Sequence, residues 1–192
     1  MPLGRKKAGI AKAFVASIRE SLPEDVANKL LTGYGINSSI EDSEAFERVL
    51  QFGGDVSFYA GTIAFAQGLE NDMPVYVYRF NEPNNWPGPW QGRTTHIHDL
   101  AFLIQNFSEF LSGAQNGLAE EFATDVLKFA NGKEPWHNWT RTRKVAKVIA
   151  TDGGGMKDDV PEQTGRREFF VDLADEIGLD TLRGAFDRFM TS

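Results

Sequence analysis

The stretch TTHIHDLAF, residues 94–102, carries two of the chain's three histidines, His96 and His98, with Asp99 directly after them. Three chemistries suit that grouping. Imidazoles at alternate positions of a strand share one face and could hold a metal ion between them. A histidine in a loop can act as the general base that activates a nucleophile. Two polar residues ahead of a helix can simply cap it or meet solvent, with Asp99 favourable in the first turn. The metal option needs a third and usually a fourth ligand. The chain has no cysteine, His137 stands far off in PWHNWT, and no carboxylates are spaced informatively around the pair. No metal and no cofactor are therefore expected.

The surrounding elements must position these residues. Ile10, Phe14, Ile18 and Leu22 recur every four residues and predict a helix; Pro23 with Glu24 and Asp25 opens a second, containing Val26, Leu30 and Leu31, that TGYGINSS ends. A third segment, from about 41 to 52, places Phe46, Val49 and Leu50 on one face. After GGD a fourth turns Phe58, Ile63 and Ala66 inward. Residues 74–80 break the pattern, because Val75, Tyr76, Val77, Tyr78 and Phe80 are apolar on both faces and predict a buried strand. The loop NEPNNWPGPWQGRTT leaves its end, where sheets of α/β proteins usually place ligands and catalytic groups.

Beyond the histidines, Leu100, Phe102, Leu103 and Ile104 predict one helix, and Leu118, Phe122, Val126 and Phe129 another, stopped by ANGKEPW. KVAKVIAT, residues 144–151, alternates weakly and predicts an edge strand. DGGGMKDDVP is a turn, and Phe169, Phe170, Leu173, Ile177, Leu182, Phe186 and Phe189 form the last helical region. Two strands cannot build a sheet whose backbone groups are mostly paired. Either they pair with something outside these residues, or the product is mainly helical and marginally stable.

Composition narrows the function classes. With 192 residues, 41% of them hydrophobic and 15 of them Phe, the chain is expected to be one globular domain over 1–192. A net charge of −7 with no basic stripe argues against nucleic acid and against a polybasic membrane anchor. Zero cysteines exclude a disulfide framework and a cysteine nucleophile while leaving the compartment open. MPLGRKKAGIAKAF lacks the apolar run of a signal peptide and no window approaches a membrane span, so the chain as written is expected to be soluble and unexported. The sequons at Asn37, Asn106 and Asn138 carry little weight, because a chain of this composition produces one or two by chance.

GGDVSFYAGTIAFAQ followed by MPVYVYRFNEPNNWPGPWQGRTTHIHDLAFLIQNF resembles the carboxy-terminal third of the type-B carboxylesterases, the group of the cholinesterases and many filamentous-fungal esterases. The order of features agrees: an Asp-x-x-Phe helix (Asp55, Phe58), a strand with Tyr76, Tyr78 and Phe80, and a loop rich in tryptophan and glycine. In that family the catalytic histidine then follows, with an acid three positions on and an aromatic or aliphatic triplet after it. His96, Asp99 and Phe102-Leu103-Ile104 keep that register, and His98 does not. AEEFATDVLKFANGKEPW resembles the family's helix before its Trp-Pro segment, and GRREFFVDLADEIGLDTLRGAFDRFM its terminal helix.

The resemblance implies the carboxy-terminal part of an α/β-hydrolase fold, a carboxylic ester as substrate, and a general-base role for His96. It also implies that Trp86, Trp90 and Phe102 line an acyl or alcohol pocket or pack the loop onto the core, and that Asp99 supports the helix start or the His96 loop. Intact relatives are often secreted. The family's Gly-x-Ser-x-Gly nucleophile elbow and oxyanion loop have no counterpart here, since Ser38, Ser39 and Ser112 lack the glycine spacing. Ala8, in GRKKAG, falls where the family carries its triad acid. The chain alone is thus expected not to hydrolyse esters. The alternative is a noncatalytic interaction protein whose uncovered apolar helix faces are buried by a partner or by self-association.

Overall fold

The computed structural model describes residues 8–151 and 165–191. The elements run α1 (Ile10–Ser21), α2 (Glu24–Gly33), α3 (Asp42–Gly54), a π-helical turn (Asp55–Tyr59), α4 (Ala60–Leu69), β1 (Tyr78–Phe80), α5 (His98–Leu103), a 3₁₀ turn (Ser108–Phe110), α6 (Gly113–Ala130), β2 (Lys147–Ile149), α7 (Arg166–Ile177) and α8 (Leu179–Thr191). The chain divides into two compact units, one of residues 1–65 with 163–192 and one of residues 66–162.

The first unit is helical. The four-residue repeat of α1 buries Ile10, Phe14 and Ile18 completely. Phe14 then meets Phe52 of α3 and Phe189 of α8 edge-on, with ring centroids 5.8 and 5.0 Å apart. Edge-to-face packing of this kind adds to the area the rings bury. Pro23 caps α2 as its fixed φ predicts, and Val26, Leu30 and Leu31 face inward. Gly178, at φ 87, divides the last helical region into α7 and α8.

GGD does not interrupt the chain's third helix. Gly53 is buried beneath the ring of Phe186, Gly54 is helical, and the helix continues through the π-helical turn into α4. A π turn inserts extra residues into the 3.6-residue repeat and so rotates everything after it. Phe58, inside the turn, is 58% exposed instead of inward, while Ile63 and Ala66 beyond it are buried as expected. Val49 is inward as expected, but Leu50 and Phe46 are only half-buried, and Ala45 and Phe52 complete the face.

Asp55 opens the π turn and is buried. The Tyr34 hydroxyl donates to it at 2.8 Å, and the Arg166 guanidinium pairs with it at 2.9 Å. Burial pushes its carboxyl above the usual range, against the pull of Tyr34, Arg166 and Arg167. Burial and Asp55 in turn drive the Tyr34 phenol far above its ordinary value.

The second unit holds a two-stranded parallel sheet, with Tyr78, Arg79 and Phe80 opposite Lys147, Val148 and Ile149. Parallel neighbours need a crossover, which α5 and α6 supply. Phe102, Ala119, Phe122 and Ile149 form the core between these elements, with Phe80, Trp86 and Val126 against it. Both strands expected from the sequence exist, but their roles are exchanged. The run 74–80 yields a partly exposed strand of three residues, because Val75 is diverted into an antiparallel bridge in which its carbonyl accepts from the Trp139 amide at 2.7 Å. The segment read as an edge is the buried strand, with Val145 to Ala150 all covered. Lys147 explains the misreading: a lysine suggests solvent, yet this one is buried and its ammonium donates to Glu121 at 2.7 Å and to Asp125. Burial works against that charge, but the two carboxylates raise the pKa above the ordinary lysine value.

Leu100, Ile104 and Phe129, expected on inward stripes, are each more than 40% exposed. The turn expected at residues 152–161 lies outside the described residues. Among the described residues no helix is long and apolar enough to cross a membrane.

The two adjacent glycines give opposite expectations. A Cβ on Gly53 overlaps the Phe186 ring, whereas one on Gly54 meets nothing within 4 Å. In urea unfolding, Gly54→Ala should stabilise by about 0.5–1 kcal/mol through helix propensity. Gly53→Ala should cost about 1–3 kcal/mol through overpacking. Equal effects would mean that α3 and α8 do not pack as described.

Candidate functional site

The loop leaving β1 is fixed at several points. The Asn84 side chain accepts from the Trp86 amide at 2.7 Å, its carbonyl accepts from the Gly92 amide at 2.7 Å, and its own amide donates to the Arg93 carbonyl at 3.1 Å. The Thr94 hydroxyl donates to the Glu82 carbonyl at 3.1 Å, which returns the far end of the loop to its beginning.

Glu82 is only 1% exposed. Its Oε1 accepts from Gln115 Nε2 at 2.7 Å and from the Thr151 hydroxyl at 3.1 Å, and its Oε2 accepts from the Thr151 amide at 2.6 Å. Gln115 is itself buried as the third residue of a capping box. Its amide donates to Ser112 Oγ at 3.2 Å, and its Oε1 accepts from the Ser112 amide at 3.1 Å. One carboxylate thus ties the loop, the start of α6 and Thr151, two residues past the end of β2.

Residues 95–98 form a tight turn closed by the His98 amide donating to the Thr95 carbonyl at 3.2 Å. Ile97, its third residue, has φ 65 and ψ 5. The two histidines therefore do not share a strand face: His96 is exposed and His98 is buried. His98 lies edge-on to Phe80, Trp86 and Phe102, with ring centroids 5.2, 4.8 and 5.1 Å away. Neither imidazole nitrogen meets a partner at ordinary hydrogen-bond geometry. Burial lowers the His98 pKa below its usual 6.5, opposed by the Glu82 carboxylate and carbonyl and by Asp99. Asp99, in the first turn of α5, accepts from the Tyr78 hydroxyl at 2.7 Å and so joins that helix to β1. Burial and Asp99 push the Tyr78 phenol well above its normal range.

Of the aromatic residues expected near a substrate, Trp86 and Phe102 meet at His98, whereas Trp90 is 44% exposed and away from that cage's ring contacts. Phe102 is fully buried in the core. A cleft of about 540 Å³ opens elsewhere in this unit, lined by Gln105, Ser108, Glu109, Asn116 and Glu120 among others, and neither histidine reaches it. Ser112 is occupied as a helix cap, the Ser39 hydroxyl donates to Asn37 at 2.6 Å in the first unit, and Ala8 is exposed. Among the described residues no group of three or more His, Asp or Glu could hold a metal ion.

In geometric terms, the His96 ring is exposed and the His98 ring is covered. Glu82 and Gln115 escaped the sequence reading. The Ser-x-x-Gln spacing of a capping box was a usable signal for Gln115, but nothing in NEPNNW marks Glu82 as buried.

Two outcomes are expected of this unit. Glu82→Gln turns one acceptor into a donor facing donors, and should lower stability in urea by about 2 kcal/mol. A fully retained midpoint would exclude Glu82 as the tie. His98 contributes a pH dependence whose sign follows from its lowered pKa. Above 6.5 both folded and unfolded forms are neutral; below it the unfolded chain takes up the proton first, so stability falls as the pH drops towards the folded value. Thermal melts between pH 7.5 and 5 should show that loss, and His98→Phe should flatten it.

The carboxylesterase family model matches residues 5–159, a stretch that contains the β1 strand, the loop, both histidines and β2. No curated protein and no solved structure matches the chain. The match covers most of the sequence: the chain belongs to the carboxylesterase family.

Proposed function

We propose that this chain is the base-bearing carboxy-terminal part of a serine ester hydrolase of α/β-hydrolase fold, in which His96 serves as general base and acid. The supporting observation is the combination of register and exposure. His96 keeps the family's spacing to Asp99 and Phe102, and its side chain is open at the end of the loop leaving β1. The family match runs through parts of both units, which favours one domain over two. Asp99 steadies the start of α5 through Tyr78; Trp86 stands beside the turn, and Phe102, fully buried, packs the core beneath it, while Trp90 is exposed.

A serine esterase also needs a nucleophile elbow and oxyanion donors, each donor contributing roughly 2.7–4 kcal/mol to the barrier. No Gly-x-Ser-x-Gly occurs in these residues, and Ala8 offers no carboxylate if it stands in the acid's place. The proposed activity therefore belongs to a protein in which residues outside this chain supply the serine, the acid and the oxyanion hole. A substrate of the carboxylic ester class follows from the chemistry of that triad.

A second reading, a noncatalytic interaction protein, is favoured by the exposure of Phe65 (70%), Leu127 (62%) and Phe58 (58%). Buried against a partner or a second copy, such residues would lose little solvation and gain packing.

Purified chain assayed with a short-chain activated ester should show no turnover above its His96→Ala variant; His96-dependent turnover would overturn the assignment of the nucleophile to residues outside the chain. If genomic sequence upstream of Met1 encodes an in-frame Gly-x-Ser-x-Gly region, the joined product should hydrolyse the ester. It should lose on the order of 10⁶-fold in kcat on His96→Ala. Absence of such a region, with concentration-dependent mass in sedimentation, would favour the interaction reading.

A further inference from the structure

We propose that His98 is a positioning residue whose ring, caged by Phe80, Trp86 and Phe102, anchors the turn that presents His96. The inference rests on the reading of His96 as the general base and extends it to a residue outside the family's register.

Two consecutive residues behind His96 break local rules. Ile97 is β-branched, yet occupies the left-handed region at φ 65, where turns of this shape ordinarily call for glycine or asparagine. His98 is 3% exposed among three aromatic rings, and neither ring nitrogen has a hydrogen bond of ordinary geometry, although the Glu82 carbonyl and carboxylate lie near it. Such departures persist only where the surroundings over-determine them, and they concentrate at sites that present a functional group.

The surroundings here are specific. The left-handed Ile97 reverses the chain between an exposed residue and one that is 3% exposed, so seating His98 in the cage directs His96 outward. Thr94 on Glu82 fixes the other side of the turn, and the His98 amide on Thr95 closes it. His96 is thereby held between two anchors, Thr94 and His98, each two residues away along the chain. That constraint is what a general base requires, because a proton acceptor about 1 Å out of place loses most of its effect.

The test is backbone ¹⁵N relaxation of the full chain at residues 95–97, with selectively labelled histidine. In the wild type the order parameter should lie near 0.85, the value of rigid backbone, and in His98→Ala it should fall below about 0.6 while signals of α1, α3 and α8 keep their positions. His98→Phe, which refills the cage, should restore the order. Ile97→Gly should also keep it, because the cage and not the isoleucine side chain is the anchor. If His98→Ala does not fold, the remaining two variants decide: loss of order in His98→Phe or in Ile97→Gly overturns the proposal. Unchanged order in a folded His98→Ala overturns it as well. None of these readings depends on ester hydrolysis, so a rigid turn lost with His98 supports the anchor even where the ester assay refutes His96 as a base.

Discussion

The second unit depends on where one carboxylate finds its donors. Glu82 lies just past the end of β1 at 1% exposure, and a carboxyl group so buried must have both oxygens met by donors or the loop cannot close over it. Gln115 and Thr151 meet it. Gln115 is placed by the capping box with which Ser112 starts α6, and Thr151 by lying two residues past the end of β2. The position of α6, the end of the sheet and the root of the loop are therefore set by one group of hydrogen bonds.

The same economy appears at Lys147. A buried ammonium is costly unless paired, and α6 brings Glu121 and Asp125, one helical turn apart, to the strand that carries it. Asp125 also accepts from Lys128, and although burial works against its charge, the two lysines hold its pKa below the ordinary value. Glu82 ties the beginning of α6 to the end of the strand pair, and Lys147 ties its later turns to the start of β2. The first unit solves its problem differently, with packed helices and edge-to-face phenylalanines around Phe14 and Phe52, and a buried polar cluster at Asp55. A two-stranded sheet alone is marginal in water. These polar ties and the Phe102–Phe122 core give it the support that further strands usually provide.

Legibility in the sequence followed periodicity. The apolar repeats of α1 and α2 translated directly into buried faces, because nothing intervenes between a regular helix and its 3.6-residue pattern. The reading failed where a local event changed phase or context. The π turn rotated Phe58 outward, the bridge from Val75 to Trp139 shortened β1, and ion pairing put Lys147 inside. For the candidate site, the histidines, Asp99, Trp86 and Phe102 were visible as residue types. Their sorting into exposed and buried required knowing that Ile97 takes a positive φ, which its β-branched side chain argues against. Glu82 was invisible, because partners 33 and 69 residues away are matters of topology.

That sorting resolves the apparent symmetry of the His-x-His pair. The general-base role proposed for His96 asks for a ring that a substrate can reach, and His96 is exposed. A ring enclosed by phenylalanine and tryptophan does the reverse, since burial depresses its affinity for a proton and closes the approach. Here the two histidines hold such different environments because the chain turns at the residue between them. The left-handed isoleucine is therefore the element that makes the pair chemically unequal, and an extended backbone at that position would have placed both rings on one face.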